Sequence, residues 1–296
     1  MKILGWKKHR VLYCQLKVYK RKGLINMGQN YSSEELLACV MSRYIEDGEN
    51  VAAGANALVP QAATLIAHFH HGPNMRVAIG QTWCNVFNTP IVQIGSITDY
   101  RAYRGNAEYC RHHEEGFDRA FLGRKKGAFS TFFAGAIQVD KYGNLNMFGV
   151  GGDYQHLKFR APGIIGLSHC LNFMHNIYIY VTNHNKRLFV DKLDYVSAIG
   201  YGDGPAFRGR WFLSGPGPKL CISPMAIMDF DEETKRMRLK SVNPGFSVDE
   251  VLGNTGFELI APKNIPTTEP PTVEELRILR TRVDPAGLLS RSKMGT

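Results

Sequence analysis

The feature that most constrains the fold of this 296-residue chain is an alternation of short apolar runs with a helical pattern. A brief run at 51–53 ends at Gly54, and a helical repeat of apolar residues follows at 57–69. A second brief run at 75–79 ends at Gly80. Strands joined by a helix pair in parallel, because a parallel connection has to cross back over the sheet. The sequence therefore predicts an α/β fold with an open, largely parallel sheet and flanking helices.

Capping signals mark the start of three helices. In each, a Ser or Thr is followed three residues later by Glu, which is the capping-box pattern. The pairs are Ser32 with Glu35, Ser247 with Glu250, and Thr272 with Glu275. They predict a helix over 32–46 and two helices near the end of the chain.

Further apolar runs predict the remaining strands. These cover 131–139, 164–167, 176–182, 187–190, 195–199 and 219–223, followed by a hairpin of 226–230 and 236–242. Residues 99–130 are polar and weakly periodic, which favours an excursion over the surface. Because no internal repeat or long linker divides the rest, we expect residues 27–296 to form a single domain.

The formal net charge of +10 is concentrated at the start of the chain. Residues 1–26 contain eight Lys and Arg and no acid, so the remainder is close to neutral. A nucleic-acid-binding domain would spread basic residues through its fold. We therefore expect neither nucleic acid nor membrane as a partner, and interpret residues 1–26 as a basic extension that is dispensable or not native. A basic arm that touches membrane or RNA is the alternative.

The six cysteines are dispersed, with no Cys-x-x-Cys pair. This pattern argues against a disulfide scaffold or a zinc ribbon and indicates a reducing cytoplasm. Histidine runs at 68–71 and 112–113 have no spacing typical of a metal site, and no glycine-rich nucleotide loop follows a strand. We expect no metal and no cofactor other than a substrate.

Polar residues without charge follow two of the predicted strands. Gln138, Asn144 and Asn146 lie in and after the first, and Asn183 and His184 follow the second. Ligands of open α/β sheets bind where parallel strands end. Amide and imidazole groups there suit a neutral carbonyl or thioester better than a phosphate. The alternative for each residue is that its side chain only stabilises a turn.

Several segments of the sequence resemble the class I CoA-transferase family, in particular beta subunits of the glutaconate CoA-transferase type. The similarity runs over about residues 33–290 and is densest at 135–146, 152–159, 183–194, 231–237 and 249–257. The resemblance implies an acyl-CoA substrate and a partner alpha subunit, in a heterodimer or heterotetramer. It also places Gly163 in the family's glycine-rich oxyanion loop, and we expect Gly163 and the polar residues above to bind substrate or CoA.

Two departures from the family pattern bear on activity. Family transferases attack acyl-CoA with a beta-subunit glutamate at the end of an early strand, and that position is Gly80 here, followed by Gln81. The oxyanion loop contains Pro162, which has no backbone N–H to donate. Both departures resemble the branch of two-subunit hydrolases that open the last steroid rings, in which the alpha subunit supplies the key acid.

Three functions follow from these observations. The first is the beta subunit of a hydrolase that opens a ring C–C bond in a cyclic keto-acyl-CoA, with Gln81 or Asn144 as hydrogen-bond donors. The second is a subunit of a glutaconate-type CoA-transferase that moves CoA between carboxylic acids. The third is a non-catalytic scaffolding subunit that completes a partner's site.

Overall fold

A computed structural model describes residues 30–54, 57–79, 83–85, 87, 91, 109–110, 129–164 and 166–291. The strands within these residues are β1 Asn50–Ala53, β2 Arg76–Ile79, β3 Trp83–Cys84, β4 Tyr109–Cys110, β5 Thr131–Gly135, β6 Gln138–Val139, β7 Leu145–Asn146, β8 Gly149–Val150, β9 Phe159–Arg160, β10 Asn176–Tyr180, β11 Pro218–Ile222, β12 Ala226–Phe230 and β13 Met237–Val242.

The helices of the same residues are α1 Ser33–Ser42, α2 Leu58–His70, α3 Leu167–Phe173, α4 Phe207–Arg210, α5 Val248–Asn254, α6 Val273–Ile278 and α7 Leu288–Arg291. A π-helical turn, Leu279–Val283, continues directly from α6. None of the helices in the described ranges is long and apolar enough to cross a membrane.

The central sheet has the strand order β13-β12-β11-β10-β5-β1-β2-β3-β4. Its middle five strands, from β11 to β2, pair in parallel, whereas β12 and β13 on one side and β3 and β4 on the other pair antiparallel. Parallel strands buried on both faces need helical cover, and α2 provides the crossover between β1 and β2. The predicted open, largely parallel α/β sheet is confirmed.

Apolar side chains form a core on each face of the sheet. Helices α1 and α2 and the C-terminal helices pack on one face, which buries Leu37, Met41 and Leu65. The other face is covered by α3, the small β6–β7 sheet and α5, which bury Leu145 and Leu171. The side chains of β10 alternate between these two cores, as the period of two in a strand requires.

The structure corrects three predicted strands. The run 164–167 is not a strand, because Leu167 begins α3 after Gly166, which has a φ of +73°. The runs 187–190 and 195–199 contain only isolated bridges. In the first of them, the Asn185 side chain accepts from the N–H groups of Arg187 and Leu188, which turns the chain instead of extending it.

The predicted strand 131–139 is divided into two. β5 ends at Gly135, and the chain then enters a small antiparallel pair in which Gln138 lies opposite Asn146. The turn between these short strands is stabilised by Asp140, whose Oδ1 accepts from the N–H groups of Tyr142 and Asn144. The hairpin therefore carries its own hydrogen bonds and leaves the central sheet.

Helices α1 and α6 are braced by the glutamates of their capping boxes. Both predicted boxes are present, with Glu35 and Glu275 at the third helical positions. Glu275 also pairs with Arg43 at the end of α1, and Glu35 pairs with Arg280 in the π-helical turn. Both carboxylates are at most 3% exposed, so each ion pair is shielded on its acidic side. Each capping glutamate thus also ties the start of its own helix to the end of the other helical segment.

We predict that Glu275→Gln lowers the free energy of unfolding by about 1–3 kcal/mol, because a neutral amide replaces one partner of a shielded, twofold hydrogen-bonded ion pair. Urea denaturation measures the change. Glu274→Gln is the control, since Glu274 pairs with Arg277 on the open surface, and it should leave stability nearly unchanged. Equal effects from the two substitutions would contradict the brace.

Candidate functional site

The five parallel strands bring their last residues to one border of the sheet, which we name the carboxyl edge. Its members are Ile79 of β2, Ala53 of β1, Gly135 of β5, Tyr180 of β10 and Ile222 of β11. Ligands of open α/β sheets bind outside such strand ends. The carboxyl edge is therefore the candidate site.

Two of the predicted site residues, Gln138 and Asn146, hydrogen-bond to each other just beyond the end of β5. The Asn146 amide donates to Gln138 Oε1 (2.8 Å) and to the Gly149 carbonyl (2.7 Å). Gln138 Nε2 in turn donates to Asp194 Oδ2 over 3.0 Å. Both amides are buried. They fasten the β6–β7 pair to the segment that contains Asp194.

Asn144 joins the same hairpin to a second loop. Its Nδ2 donates to Asp140 Oδ2 and to the Gly202 carbonyl, both over 2.8 Å. Its Oδ1 accepts from the N–H groups of Gly200 and Gly202. Two donor and two acceptor positions are thus used within the chain. Asn144 acts in this structure by positioning the loop that starts at Gly200.

His184 lies buried behind the end of β10 and bridges two hydroxyl groups. One ring nitrogen lies 2.7 Å from Ser223 Oγ and the other 3.1 Å from Thr255 Oγ1. Burial lowers the pKa of His184 to about 4, so the ring is neutral at physiological pH. A neutral imidazole with both nitrogens occupied connects β11 to α5 and is not available as a proton carrier.

Asn183 and Gly163 complete the described part of the predicted set. The half-buried Asn183 side chain has no hydrogen-bond partner within the described ranges, so its amide is available to a ligand. Gly163 has a φ of +115°, which only glycine adopts readily, and its N–H donates to the Met147 carbonyl. Substrate or CoA binding by any of these residues stays a prediction.

Two polar side chains at the carboxyl edge were missed by the sequence analysis. Tyr180 ends β10, and its hydroxyl lies 3.4 Å from where a Cβ on Gly135 would be. Gln61 in α2 donates to the Gly54 carbonyl at the end of β1, while its buried Oε1 has no partner among the described residues. A polar Gln in an otherwise apolar helix face was the available signal. Tyr180 gave none, because tyrosine is common in buried strands.

Glu49 is the last acidic residue in the sequence before the end of β2. It lies at the opposite border of the sheet, directly before β1. Its carboxylate accepts from Thr131 Oγ1 over 2.8 Å and from the Asn176 amide, at the starts of β5 and β10. Burial raises the pKa of Glu49. The length of a four-residue strand, about 13 Å, separates the two borders. Glu49 therefore cannot replace a carboxylate at the end of β2.

Gly80 and Gln81 follow β2 in the sequence and lie outside the described residues. The sequence alone establishes that no Asp or Glu occurs between Glu49 and Asp99. The first residues after β1, β5, β10 and β11 are also without charge, namely Gly54, Ala136, Val181 and Ser223.

The sequence profile of the family described as coenzyme A transferase matches residues 35–254. This chain belongs to the coenzyme A transferase family. The B-type subunit of glutaconate CoA-transferase from Acidaminococcus fermentans is 32% identical over 86% of this chain and 94% of that protein. The crystal structure of glutaconate coenzyme A-transferase from the same organism has a TM-score of 0.77 at 29% identity, covering 89% of this chain and 98% of the other.

A second named relative belongs to a hydrolase. The cholesterol ring-cleaving hydrolase IpdB subunit of Mycobacterium tuberculosis is 35% identical over 53% of this chain and 61% of that protein. The family thus includes relatives named for transfer and for ring cleavage. The predicted resemblance to beta subunits of the glutaconate type is confirmed.

We predict that His184 makes stability dependent on pH. Its pKa is about 4 in the fold against 6.5 for the free side chain, so the unfolded chain binds the proton more readily. The neutral ring contributes its full stability above pH 6.5, and the contribution falls as the pH drops toward 4. Between pH 7.5 and 5, wild type should lose about 2 kcal/mol more unfolding free energy than His184→Gln. Parallel pH dependences in urea denaturation would contradict this role.

Proposed function

We propose that this chain is the beta subunit of a cytoplasmic, heteromeric hydrolase that opens a ring C–C bond in a cyclic keto-acyl-CoA, as in sterol or similar ring breakdown. The observation that carries the proposal is the lack of a carboxylate where β2 ends. Without it, this subunit has no nucleophile to take an acyl group from CoA. The buried free thiols of Cys39 and Cys221 support a reducing compartment.

The proposed reaction needs no covalent enzyme intermediate. A base on the alpha subunit takes a proton from water, and the hydroxide oxygen bonds to the ring ketone carbon. The bond between that carbon and the carbon bearing the thioester then breaks. Its electron pair is held as the thioester enolate, which takes up a proton, and the ketone carbon becomes a carboxylate. Donors directed at the enolate oxygen lower this barrier.

The contribution of this subunit is a neutral, hydrogen-bonded carboxyl edge. The Asn144 amide is hydrogen-bonded to Asp140 and to the loop at Gly200 and Gly202. Asn144 therefore positions that loop and does not donate to the substrate. Gln81, directly after the glutamate position, is the donor we retain. The relationship to IpdB, which is named as a subunit of a ring-cleaving hydrolase, supports the proposed ring opening.

The second candidate is a glutaconate-type CoA-transferase. It is favoured by one observation, the match to the B-type subunit of glutaconate CoA-transferase over 94% of that protein's length. A transferase would need a nucleophile from another part of the heteromer. The third candidate, a scaffolding role, follows from the same missing carboxylate. Both relatives are named as subunits, which supports an alpha-type partner in each case.

We predict that the heteromer forms no glutamyl-CoA thioester on this chain. The assembled enzyme is incubated with acyl-CoA and borohydride, and its peptides are analysed by mass spectrometry for a glutamate reduced to the alcohol. Wild type should show none, since the nucleophilic carboxylate is missing. Gly80→Glu restores a carboxylate at the family position and is the matched variant for trapping. A reduced Glu in the wild-type chain would establish the transferase instead.

We further predict water incorporation during ring opening. With 2-oxocyclohexanecarbonyl-CoA in ¹⁸O-labelled water, the heteromer should release the open-chain diacid monothioester, with the label in its new carboxylate. The label follows from attack of water on the ring ketone. Transfer of CoA to added acetate without ring opening would favour the second candidate. Turnover by the alpha subunit alone at the same rate would favour the scaffolding role.

A further inference from the structure

Tyr180 lies half-buried at the carboxyl edge. It is the last residue of β10 and pairs with Gly135, the last residue of β5. A Cβ added to Gly135 would meet the Tyr180 ring and hydroxyl at 3.4–3.5 Å. The phenol therefore extends across the end of the neighbouring strand, where glycine leaves room for it.

The hydroxyl of Tyr180 is unused in the described part of the chain, where no hydrogen bond to it occurs. Two residues earlier on the same strand, Tyr178 packs toward the same core, and its hydroxyl donates to the Tyr44 carbonyl over 3.1 Å. Burial raises the pKa of Tyr180 to about 12, so the group stays protonated and can donate. The two tyrosines thus differ in that the Tyr178 hydroxyl is hydrogen-bonded within the chain and the Tyr180 hydroxyl can donate to a ligand.

The sheet register shows how far the Tyr180 hydroxyl lies, along the strand direction, from the end of β2. Thr131 lies opposite Val51, and Val51 lies opposite Val77, which places these three residues at one level. Gly135 is four residues past Thr131, whereas Ile79 is two residues past Val77. The phenol is therefore two residue levels beyond the end of β2. Since β5 and β2 are two strand spacings apart, it is about 10 Å to the side of β2.

We propose that Tyr180 is a specificity-determining residue, whose hydroxyl donates a hydrogen bond to an oxygen of the acyl group distant from the thioester. This inference rests on the proposed function insofar as acyl-CoA binds at the carboxyl edge, and it holds for hydrolysis or transfer. The phenol packs beside apolar residues of the α2-side core, which suits an acyl chain better than the phosphates of CoA. The acyl group then carries a second oxygen, as a ketone or a carboxylate.

Two ligands of equal chain length test the inference in the assembled heteromer. Glutaryl-CoA has a distal carboxylate, and valeryl-CoA has a methyl group in its place. Their dissociation constants are measured by calorimetry for wild type, Tyr180→Phe and Tyr178→Phe. Both substitutions remove a single hydroxyl and keep the ring, so Tyr178→Phe is the matched control. Thermal melting of each variant reports whether the fold is retained.

Wild type should bind glutaryl-CoA more tightly than valeryl-CoA. Tyr180→Phe should weaken glutaryl-CoA binding about tenfold and leave valeryl-CoA binding within about twofold, as the loss of one hydrogen bond to a charged acceptor predicts. Tyr178→Phe should lower the melting temperature and keep the wild-type ratio of affinities. An unchanged ratio in Tyr180→Phe, or no preference in wild type, would overturn the inference. If the affinities are as expected but the heteromer opens no ring, the proposed hydrolase activity is contradicted and the role of Tyr180 is not.

Discussion

Parallel pairing of five strands is the constraint on which the rest of this structure depends. It places the starts of these five strands at one border of the sheet and their ends at the other. At the starts, the Glu49 carboxylate joins β1 to β5 and β10 through Thr131 and Asn176. This polar tie aligns three central strands and keeps the Glu49 carboxylate at the border where the strands start. At the opposite border, the last residues of the five described strands, Ile79, Ala53, Gly135, Tyr180 and Ile222, are all uncharged.

The α/β architecture could be predicted because its determinants are local. The strand-helix-strand alternation and the capping pairs are each readable within a few residues. What holds the elements together is not readable in this way. Arg43 meets Glu275 more than two hundred positions along the chain. Arg208 is buried and donates to the carbonyls of Leu171, Asn172, Gly200 and Gly215. Backbone carbonyls leave no trace in a sequence, so such an anchor cannot be foreseen.

The candidate site was predictable in its place and less so in its members. Polar residues after β5 and β10 pointed to the carboxyl edge, where both strands end. An Asn that follows a strand can bind a ligand or close a turn, and the composition is the same in both cases. Asn144 and Asn146 satisfy the chain's own backbone here. Tyr180 was overlooked for the converse reason, since an alternating strand pattern predicts a core residue and does not show that its neighbour is glycine.

A neutral carboxyl edge has consequences for how catalysis can be divided between subunits. A carboxylate at the end of β2 would repel the enolate that forms when a ring C–C bond breaks, and would compete with water as the nucleophile. On the proposed function, the absence of this carboxylate prevents acyl transfer through this subunit and makes the same location compatible with a developing negative charge. The internal hydrogen bonds of Gln138 with Asp194 and of Asn144 with Asp140 keep the surrounding loops fixed. On the proposed function, this subunit thus supplies shape and selective hydrogen bonds, and its partner supplies the base.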